Sequence, residues 1–336
     1  MERVRLAVIG IGAMGQLFSR IFKQMDTVEL VAVADVDKNR VEALGKELGV
    51  TPYLDYKDIL SRPDVDAVAI CLPDQLHTEP AIAAARSGKH IFIEKPLALS
   101  VEDSQRIIDA CNEAKVKLMV GHCLRFDPRF VQAYEAIRRG DIGDVIHARA
   151  WRGTSIVNGL RLGGRTSVAF FLGVHDIDIL HWYFNSRVTQ VYAMGTRKRL
   201  VDLGVDDAIF ALLKFENGAM ASLETSWVMP KTGNQVRSNT LEKGMEIVGT
   251  KGMISVEAYN IGIVVQGEQD IYYPDVMYSP NLHGVTTGVY TEELAHFVRC
   301  LLHDMDPVTT GRDAMEAVRV AEAIEKSLAE GKPINL

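Results

Sequence analysis

The sequence has little of what marks a membrane, secreted or nucleic-acid-binding protein. None of its apolar runs approaches the roughly 18 residues of a membrane-spanning helix. The N-terminal apolar run is short and rich in glycine, so it predicts a strand rather than a signal peptide. The four cysteines, Cys71, Cys111, Cys123 and Cys300, form no CxxC pair, which is typical of reduced thiols. We therefore expect a cytoplasmic protein without a membrane partner.

The sequence also lacks an excess of basic residues. Its formal net charge is -7 and its acids are distributed along the chain, which argues against nucleic acid as a partner. No low-complexity tract or internal repeat interrupts the 336 residues. Because 47% of the residues are apolar, a chain of this length can bury a large core, and we expect two domains.

The first 35 residues carry a dinucleotide-binding pattern. An apolar run, Val4 to Ile9, leads into a glycine-rich turn, and a second apolar run ends at Asp35. In such a turn the first glycine permits a tight bend, the second lets the backbone approach a pyrophosphate, and the third lets the helix pack on its strand. The helix N-terminus then binds the anion. The residues predicted to bind the dinucleotide in this turn are Gly10, Ile11, Gly12, Ala13, Met14 and Gly15.

Asp35 predicts which dinucleotide binds. It lies 20 residues after Gly15, where a carboxylate accepts hydrogen bonds from both hydroxyls of the adenosine ribose. A 2′-phosphate at that position would be repelled by the carboxylate. The sequence therefore favours NAD over NADP as the cofactor.

Alternating strand and helix patterns up to about residue 122 predict a doubly wound parallel sheet, the Rossmann arrangement. The predicted strands are Val4 to Ile9, Val28 to Ala34, Ala67 to Cys71, His90 to Ile93 and Lys117 to Val120. The predicted helices lie near Gln16 to Gln24, Asn39 to Leu48, Thr78 to Ser87 and Val101 to Ala114. Ser100, three residues before Asp103, resembles a capping box for the last of these helices.

From Asp144 onward, longer alternating runs predict a mostly antiparallel sheet. Its predicted strands are Val145 to Trp151, Val188 to Thr196, Ala208 to Phe215, Ala219 to Trp227, Met245 to Val248 and Ile261 to Val265. Asn217-Gly218 and Lys251-Gly252 predict hairpin turns. Two helical patterns, Thr291 to Leu302 and Asp313 to Glu330, are candidates to cover this sheet. We thus expect an α/β protein with a Rossmann domain over residues 1–122 and a second α/β domain over residues 123–336.

Polar or rigid residues end two strands at the edge where doubly wound sheets bind ligands. Cys71 and Pro73 end the third predicted strand, and His77 begins the next helix. A charged and rigid segment ends the fourth predicted strand. A partly buried lysine costs free energy unless it is used or paired, so this segment indicates function rather than packing. The residues predicted here to contact the cofactor are Cys71, Pro73, His77, Glu94, Lys95 and Pro96.

Over essentially its whole length the chain resembles the glucose-fructose oxidoreductase, inositol dehydrogenase and rhizopine-catabolism (Gfo/Idh/MocA) family. The motifs that carry the resemblance are the turn Gly10 to Gly15, Pro73 with His77, Gly88-Lys89-His90 running into Glu94-Lys95-Pro96, Arg125-Phe126-Asp127-Pro128, and Gly173-Val174-His175-Asp176-Ile177-Asp178. The resemblance implies an NAD(P)-binding N-terminal domain and a C-terminal domain that binds substrate. It implies an open sheet face often used for oligomerisation, so we expect a homodimer or homotetramer.

The same resemblance places the family's lysine at Lys95 and its helix-borne catalytic histidine at His175. Oxidation of a secondary alcohol requires removal of the hydroxyl proton while a hydride leaves carbon for the nicotinamide. A histidine suits the first task because its ordinary pKa lies near neutrality. A lysine suits the stabilisation of alkoxide character on the same oxygen. The cofactor supplies the hydride chemistry, and the protein supplies position and charge.

The chain departs from the family at Phe171, because family members commonly carry Asp four residues before the histidine. Three interpretations follow, and the first is favoured. Either another group, such as Asp176 or Asp178, orients His175, or the catalytic constellation has changed, or activity is lost.

An arginine-rich segment, Val145 to His175, contains no Asp or Glu. Its arginines are Arg149, Arg152, Arg161 and Arg165. One interpretation is a solvated surface. The other is recognition of an anionic substrate, such as a uronate or a nucleotide sugar, because guanidinium groups match carboxylates and phosphates. The residues predicted to bind substrate are Arg125, Arg152, Arg161, Arg165 and Asp176, with Arg125 alternatively a brace at the domain junction.

His175, Asp178 and His181 have spacings that resemble metal ligands on a helix. Apolar residues interleave them, and the helical drift over six residues carries His181 away from His175. We therefore predict no metal site.

Together these observations predict an NAD-preferring dehydrogenase that oxidises a secondary hydroxyl of a sugar, sugar derivative or cyclitol. A second interpretation keeps the cofactor but has another carbonyl, imine or dihydrodiol as the substrate. A third is a non-catalytic NAD-sensing regulatory protein, which Phe171 would permit.

Overall fold

The computed structural model describes residues 2–230, 243–258, 262–263, 265–266, 271–272 and 274–336. The chain divides into two compact units. The first consists of Met1–Cys123 and Asn281–Met315, and the second of Leu124–Pro280 and Glu316–Leu336. The main segment of the first unit thus ends at Cys123, and a return segment from the C-terminal half joins it.

The first unit contains a six-stranded parallel sheet of order β3-β2-β1-β4-β5-β6. Its strands are β1 (Val4–Ile9), β2 (Val28–Ala34), β3 (Thr51–Tyr53), β4 (Ala67–Ile70), β5 (His90–Glu94) and β6 (Leu118–Gly121). Its helices are α1 (Ala13–Lys23), α2 (Lys38–Leu48), α3 (Tyr56–Leu60), α4 (Thr78–Arg86), α5 (Val101–Ala114) and α9 (Val289–Leu302). The central strands are apolar throughout because helices cover both faces of the sheet.

Local signals start three of these helices: α5 begins at the predicted residue, α2 begins one residue before its predicted start, and α3 was not predicted. Asp37, Asp55 and Ser100 cap α2, α3 and α5 by accepting a hydrogen bond from a first-turn amide. The Ser100 hydroxyl accepts from the Asp103 amide at 3.0 Å. Only half of the predicted capping box forms, because the Asp103 carboxylate accepts from Arg106 instead.

Helix α9 packs against α1 and β1 in the first unit. Phe297 lies 5.9 Å from Phe92 of β5, and Tyr290 lies 5.8 Å from Phe18 of α1, measured between ring centroids. This differs from the expectation that Thr291 to Leu302 would cover the second sheet. An amphipathic helix satisfies either sheet equally well, so its sequence pattern does not select one.

The second unit contains a seven-stranded sheet of order β12-β11-β7-β10-β9-β8-β17. Its strands are β7 (Val145–Ser155), β8 (Val188–Thr196), β9 (Ala208–Phe215), β10 (Met220–Met229), β11 (Lys243–Gly249), β12 (Met253–Glu257) and β17 (Ile334–Asn335). The strands β7 and β10 are parallel, and the other neighbours are antiparallel. The predicted hairpin turns form: Asn217-Gly218 joins β9 to β10, and Lys251-Gly252 joins β11 to β12. The second arm of the latter hairpin, Met253–Glu257, was not among the predicted strands.

The helices of the second unit are α6 (Pro128–Arg139), α7 (Ile156–Leu162) and α8 (Val174–Phe184), together with the part of α10 (Gly311–Glu330) that begins at Glu316. A π-helical turn at Ala169–Gly173 precedes α8. The short helix α7 packs on β10, and α8 packs on β7. Side chains on β9 alternate between buried and exposed, so one sheet face carries the core and the other is open.

Four short strands remain: β13 (Val265–Gln266) pairs with β14 (Ile271–Tyr272), and β15 (Asn281–Leu282) pairs with β16 (Val285–Thr286). Of the predicted strand Ile261 to Val265, residues 261 and 264 lie outside the described residues, residues 262 and 263 are not in a strand, and Val265 belongs to β13. Within the described ranges, no helix combines the length and the apolar character needed to cross a membrane. The predicted α/β class, with a parallel Rossmann sheet and a mostly antiparallel second sheet, is confirmed.

Candidate functional site

The three glycines between β1 and α1 have different surroundings. Gly10 has a φ of +89°, and a Cβ there would lie 2.8 Å from the carbonyl carbon of Cys71. A Cβ at Gly15 would overlap the carbonyl oxygen of Gly10. A Cβ at Gly12 would have no atom within 4 Å. Two glycines are therefore required by the protein itself, whereas Gly12 leaves open space beside the backbone, as close approach of a pyrophosphate requires.

The N-terminus of α1 is suited to an anion. Gly12 is its N-cap and provides no side-chain acceptor, and the first turn contains no acidic residue. The first amides of a helix have no acceptor within the helix, and the helix dipole favours negative charge there. Ala13 and Met14 belong to this turn and are exposed or half-buried. The turn thus fits the pyrophosphate of a dinucleotide.

The Asp35 carboxylate follows β2 and holds the glycine-rich turn. Its Oδ2 accepts from the Ile11 amide at 2.6 Å, and its Oδ1 accepts from the Asp37 amide at 2.8 Å. The guanidinium of Arg40 lies 3.3 Å from Oδ2. A carboxylate oxygen has a second lone pair, so Asp35 retains the capacity to accept from ribose hydroxyls.

His77 joins the segments that follow β4 and β5. Its Nδ1 lies 2.8 Å from the Pro96 carbonyl oxygen, and its Nε2 lies 2.9 Å from the Leu72 carbonyl oxygen. Burial lowers the pKa of His77, although both carbonyls act in the opposite direction. The ring thereby contacts the backbone at Leu72 and at Pro96, and direct contact between His77 and the cofactor remains a prediction.

Glu94 is the last residue of β5 and Lys95 follows it, and the Lys95–Pro96 bond is cis. Burial raises the pKa of Glu94 to about 7, partly offset by the charge of Lys95. Burial also raises the pKa of the Cys71 thiol, and the charges of Glu94 and Glu293 add to that rise. Cys71 is therefore a neutral thiol beside the turn rather than a nucleophile.

In the second unit, His175 is the second residue of α8 and is half-buried. The π-helical turn before it carries Phe171, whose ring centroid lies 6.2 Å from that of the fully buried Trp227. Where the resemblance implies a carboxylate, this chain therefore has an aromatic packing contact. Such π-helical turns occur frequently at functional sites.

The two acids after His175 are both bound by arginines. Arg152 of β7 donates two hydrogen bonds to Asp176, at 2.7 and 2.6 Å. Arg125 donates two to Asp178, at 2.9 and 2.7 Å, and stacks on Trp182. All four paired side chains are buried. These pairs fix α8 and hence the position of its histidine.

The other predicted substrate residues lie at the surface. Arg161 on α7 and Arg165 after it are exposed, and Arg161 donates to the Asn158 side chain at 3.1 Å. Arg149 is exposed and stacks over Trp151 at 4.8 Å. Across the described residues, no three His, Cys, Asp or Glu side chains are grouped so as to hold a metal ion.

Two buried charged residues near these positions escaped the sequence analysis. Lys243 is buried at the start of β11, opposite Arg152 in register, with its Nζ 3.3 Å from the Tyr278 hydroxyl. Glu293 of α9 is fully buried. The sequence contained an indication of this burial, because Glu293 lies on the same apolar helix face as Tyr290 and Phe297. The sequence contains no indication that Lys243 is buried, because its burial depends on the pairing of strands that are distant in the chain.

The chain belongs to the GFO/IDH/MocA oxidoreductase family. The model of its NAD-binding Rossmann domain matches residues 4–122, and that of its C-terminal alpha/beta domain matches residues 135–336. The resemblance stated from the motifs is thus confirmed, and the first unit is an NAD-binding Rossmann domain of an oxidoreductase. The open turn at Gly12 and the carboxylate at Asp35 fit that cofactor.

Individual relatives span the whole chain. The scyllo-inositol 2-dehydrogenase (NAD(+)) of Bacillus subtilis is 29% identical, covering 100% of this chain and 97% of that protein. The 2,7-anhydro-N-acetylneuraminate hydratase of Mediterraneibacter gnavus is 25% identical, covering 100% and 97%. The crystal structure of a probable dehydrogenase from Thermotoga maritima is 26% identical with a TM-score of 0.83, covering 99% of this chain and 98% of that one.

Proposed function

We propose that this protein is an NAD-preferring dehydrogenase that oxidises a secondary hydroxyl of a sugar, sugar derivative or cyclitol. One observation carries the proposal. The dinucleotide turn follows β1 and the Glu94-Lys95-Pro96 segment ends β5, so both lie at the carboxyl edge of one parallel sheet. The inositol dehydrogenase relative, aligned over the full chain, supports a ring hydroxyl as the reacting group.

The proposed roles follow from the chemistry of each side chain. When bound, the nicotinamide accepts the hydride. Lys95 donates a hydrogen bond to the reacting oxygen and stabilises its developing negative charge. His175 removes the hydroxyl proton. The Arg152–Asp176 and Arg125–Asp178 pairs position the helix that carries His175. We therefore propose that neither Asp176 nor Asp178 orients the imidazole by a direct hydrogen bond.

The substrate charge is the finer part of the proposal. Arg161 and Arg165 are the exposed arginines that lead toward α8, and we propose them as the groups that recognise a carboxylate or phosphate of the substrate. Arg125 and Arg152 are bound by buried acids, so we propose that they support the site rather than exchange partners with a ligand. The 2,7-anhydro-N-acetylneuraminate hydratase relative is named for a sugar that carries a carboxylate, which supports an anionic sugar as the substrate class.

The experiment is a panel of candidate substrates with purified protein and NAD, read out as NADH absorbance. The panel contains neutral sugars, cyclitols, uronates and nucleotide sugars. Turnover confined to anionic members supports both the dehydrogenase and the arginine proposal. Turnover on neutral members keeps the dehydrogenase and reduces Arg161 and Arg165 to surface residues.

Two other functions share the cofactor site. A reductase of a carbonyl, imine or dihydrodiol would use the same Lys95 and would oxidise NADH with such compounds in the same panel. A non-catalytic NAD sensor is favoured by one observation, the packing of Phe171 on Trp227 at the position of the expected carboxylate. That function predicts NAD binding without turnover on any member of the panel.

We also propose a homodimer or homotetramer formed through the open face of the second sheet, in a cytoplasmic protein. Met194, Phe210, Leu212 and Met220 lie on that face of β8, β9 and β10 and are about half exposed or more. An apolar patch of this kind marks an association surface. Phe210→Lys should shift the molar mass measured by light scattering toward that of the monomer. An unchanged mass would place the interface elsewhere.

A further inference from the structure

Five basic side chains form an exposed surface in the second unit. Arg197, Lys198 and Arg199 follow β8 directly and form a basic turn, and Arg161 and Arg165 lie on α7 and just after it. All five are exposed, although the chain as a whole has a net charge of -7. We call these five residues the basic ridge. The proposed function uses only the two arginines of α7 and its end.

A buried carboxylate fixes the backbone of the basic turn. Asp207 is 4% exposed. It accepts hydrogen bonds from the backbone amides of Lys198, Arg199 and Leu200, at 2.6, 2.8 and 2.9 Å. Hydrogen bonds to an ionised acceptor are strong. The backbone of the turn is therefore held without use of its basic side chains, which remain available at the surface.

Helix α7 packs closely against the segment that follows this turn. A Cβ at Gly159 would lie 2.9 Å from the Leu200 side chain, and a Cβ at Gly163 would lie 2.8 Å from that of Val205. Only glycine allows so close an approach at these two positions. The arginines at α7 and the basic turn therefore belong to one continuous surface.

Glu325 of α10 lies close to both parts of this surface. Burial raises the pKa of Glu325, whereas a hydrogen bond with the Ser167 side chain and the charge of Arg197 act in the opposite direction. Ser167 follows Arg165 by two residues. The end of the α7 segment and the basic turn thus meet at the same acid, whose raised pKa limits the charge that it sets against the ridge.

Other acids offset little of the charge at the surface. The segments 156–167 and 197–207 contain three acids. Asp207 is bound to the turn amides, Asp206 lies 3.6 Å from Arg197, and Asp202 is exposed. In these two segments five exposed cations therefore stand against one exposed acid. Because one or two guanidinium groups suffice for a single carboxylate, a ridge of five cations fits a ligand with several negative charges.

Exposed apolar side chains border the cations. Val157 and Leu160 of α7 and Val201 after the basic turn are between 47% and 60% exposed. An inorganic polyanion gains nothing from such a surface, whereas a nucleobase gains free energy by covering it. Exposed apolar patches of this kind mark ligand-binding surfaces. The combination therefore favours a nucleoside diphosphate over a free diphosphate.

We propose that the basic ridge binds the nucleoside diphosphate of the substrate and that this protein oxidises the sugar of a nucleotide sugar. The proposal rests on the proposed function, because it names the substrate class of the same dehydrogenase. Lys198 and Arg199 bind the phosphates together with the α7 arginines, and Leu160 contacts the base. The diphosphate takes no part in the chemistry: the sugar hydroxyl becomes a carbonyl, NAD becomes NADH, and one proton is released.

The test measures binding by calorimetry to protein saturated with NADH. The probes are UDP-glucose, UDP, inorganic pyrophosphate and glucose 1-phosphate. NADH occupies the dinucleotide turn, so a diphosphate does not bind there, and the result does not depend on turnover. The variants are Lys198→Gln, Arg199→Gln and Leu160→Ser. Lys251→Gln is the matched control, because it removes an exposed lysine from the β11–β12 hairpin at the opposite end of the same sheet.

Lys198→Gln and Arg199→Gln should each weaken binding of the three diphosphates about tenfold, the loss expected for one charge-assisted contact. Leu160→Ser should weaken binding of UDP and UDP-glucose and leave inorganic pyrophosphate unchanged. Glucose 1-phosphate should bind more weakly than inorganic pyrophosphate, and Lys251→Gln should match the wild type. Added salt should lower the UDP-glucose affinity of the wild type more than that of Arg199→Gln. The best nucleotide sugar of the substrate panel should lose kcat/KM by the same factor as binding.

Three results would overturn the proposal while leaving the proposed function intact. In the first, the wild type binds none of the three diphosphates yet oxidises a neutral sugar or a uronate. In the second, Lys198→Gln and Arg199→Gln bind the diphosphates as tightly as Lys251→Gln does. In the third, inorganic pyrophosphate binds but UDP and UDP-glucose do not, which would make the ridge a site for a free diphosphate. Failure of the proposed function would differ from all three, because no member of the panel would give NADH, and it would overturn this proposal as well.

Discussion

Exchange of Gly12 for alanine separates cofactor binding from folding. The backbone there has φ -72° and ψ -163°, which alanine adopts without strain, and the new Cβ would meet no protein atom within 4 Å. Alanine is a poorer N-cap than glycine by about 0.5–1 kcal/mol. It also restricts the unfolded chain, which stabilises the fold by about 0.4–1 kcal/mol. The free energy of unfolding should therefore change little.

Cofactor binding should respond strongly to the same change. The added methyl group occupies the space through which a pyrophosphate approaches the backbone. Loss of one charge-assisted hydrogen bond costs about 1.5–3 kcal/mol, which raises the dissociation constant about 10- to 150-fold. The assay pairs an NADH fluorescence titration with thermal unfolding of the cofactor-free protein.

Gly15→Ala is the matched comparison, because its Cβ would overlap the carbonyl oxygen of Gly10. Relief of that overlap requires the backbone to move, at a cost of about 1–3 kcal/mol. We expect Gly15→Ala to lose stability and Gly12→Ala to lose affinity. Wild-type affinity in a folded Gly12→Ala protein would refute the assignment of this turn to the pyrophosphate. If Gly12→Ala failed to fold, the space beside Gly12 would not be open as described.

Three further predictions concern other parts of the molecule. Asp178→Ala should destabilise the protein by about 3–5 kcal/mol in urea unfolding, because it leaves the buried Arg125 guanidinium without its bidentate acceptor; a loss under about 1 kcal/mol would contradict this. Arg161→Ala and Arg165→Ala should each lower kcat/KM for anionic substrates and leave neutral ones unchanged, whereas full kcat/KM on the true anionic substrate would exclude these positions. Glu293→Gln should remove a loss of stability that sets in as the pH rises above the unfolded pKa of a glutamate, since burial and the Glu94 charge raise the pKa of Glu293 in the folded state.

The sign of the Glu293 effect follows from linkage. The folded pKa lies above the unfolded value, so the folded state binds the extra proton, and stability falls as the pH rises above the unfolded pKa, by at most about 1.4 kcal/mol per pH unit. The measurement is cofactor-free unfolding from mildly acidic to alkaline pH. Glu292→Gln serves as the control, because Glu292 is exposed on the same helix turn. Identical pH profiles for the wild type and Glu293→Gln would contradict the prediction.

Local patterns predicted the elements whose ends have local causes. The helix Val101–Ala114 agrees to the residue because Ser100 caps it. The strands Val188–Thr196 and Ala208–Phe215 also agree to the residue, because one face of each is open and alternation marks their length. The glycine turn was equally predictable, because the positive φ of Gly10 and the close approach of Gly15 to the Gly10 carbonyl arise within the turn itself.

Tertiary pairing was beyond these patterns. Arg125 and Asp178 are 53 residues apart and were both noticed as candidates, yet nothing in their spacing indicates that they bind each other. The return of α9 to the first unit has the same origin, because any apolar sheet face satisfies its apolar stripe. Arg40 was overlooked because an arginine in the first turn of an exposed helix is ordinary until the acid it contacts is known.

The central claim is that this chain couples a bound nicotinamide to the oxidation of a ring hydroxyl through Lys95. The most direct measurement compares NADH formation and NAD affinity in the wild type and Lys95→Met, with the best substrate of the panel. The account predicts that Lys95→Met binds NAD with nearly wild-type affinity while kcat collapses. Wild-type turnover in Lys95→Met, or NAD binding by the wild type without turnover on any member of the panel, would contradict it.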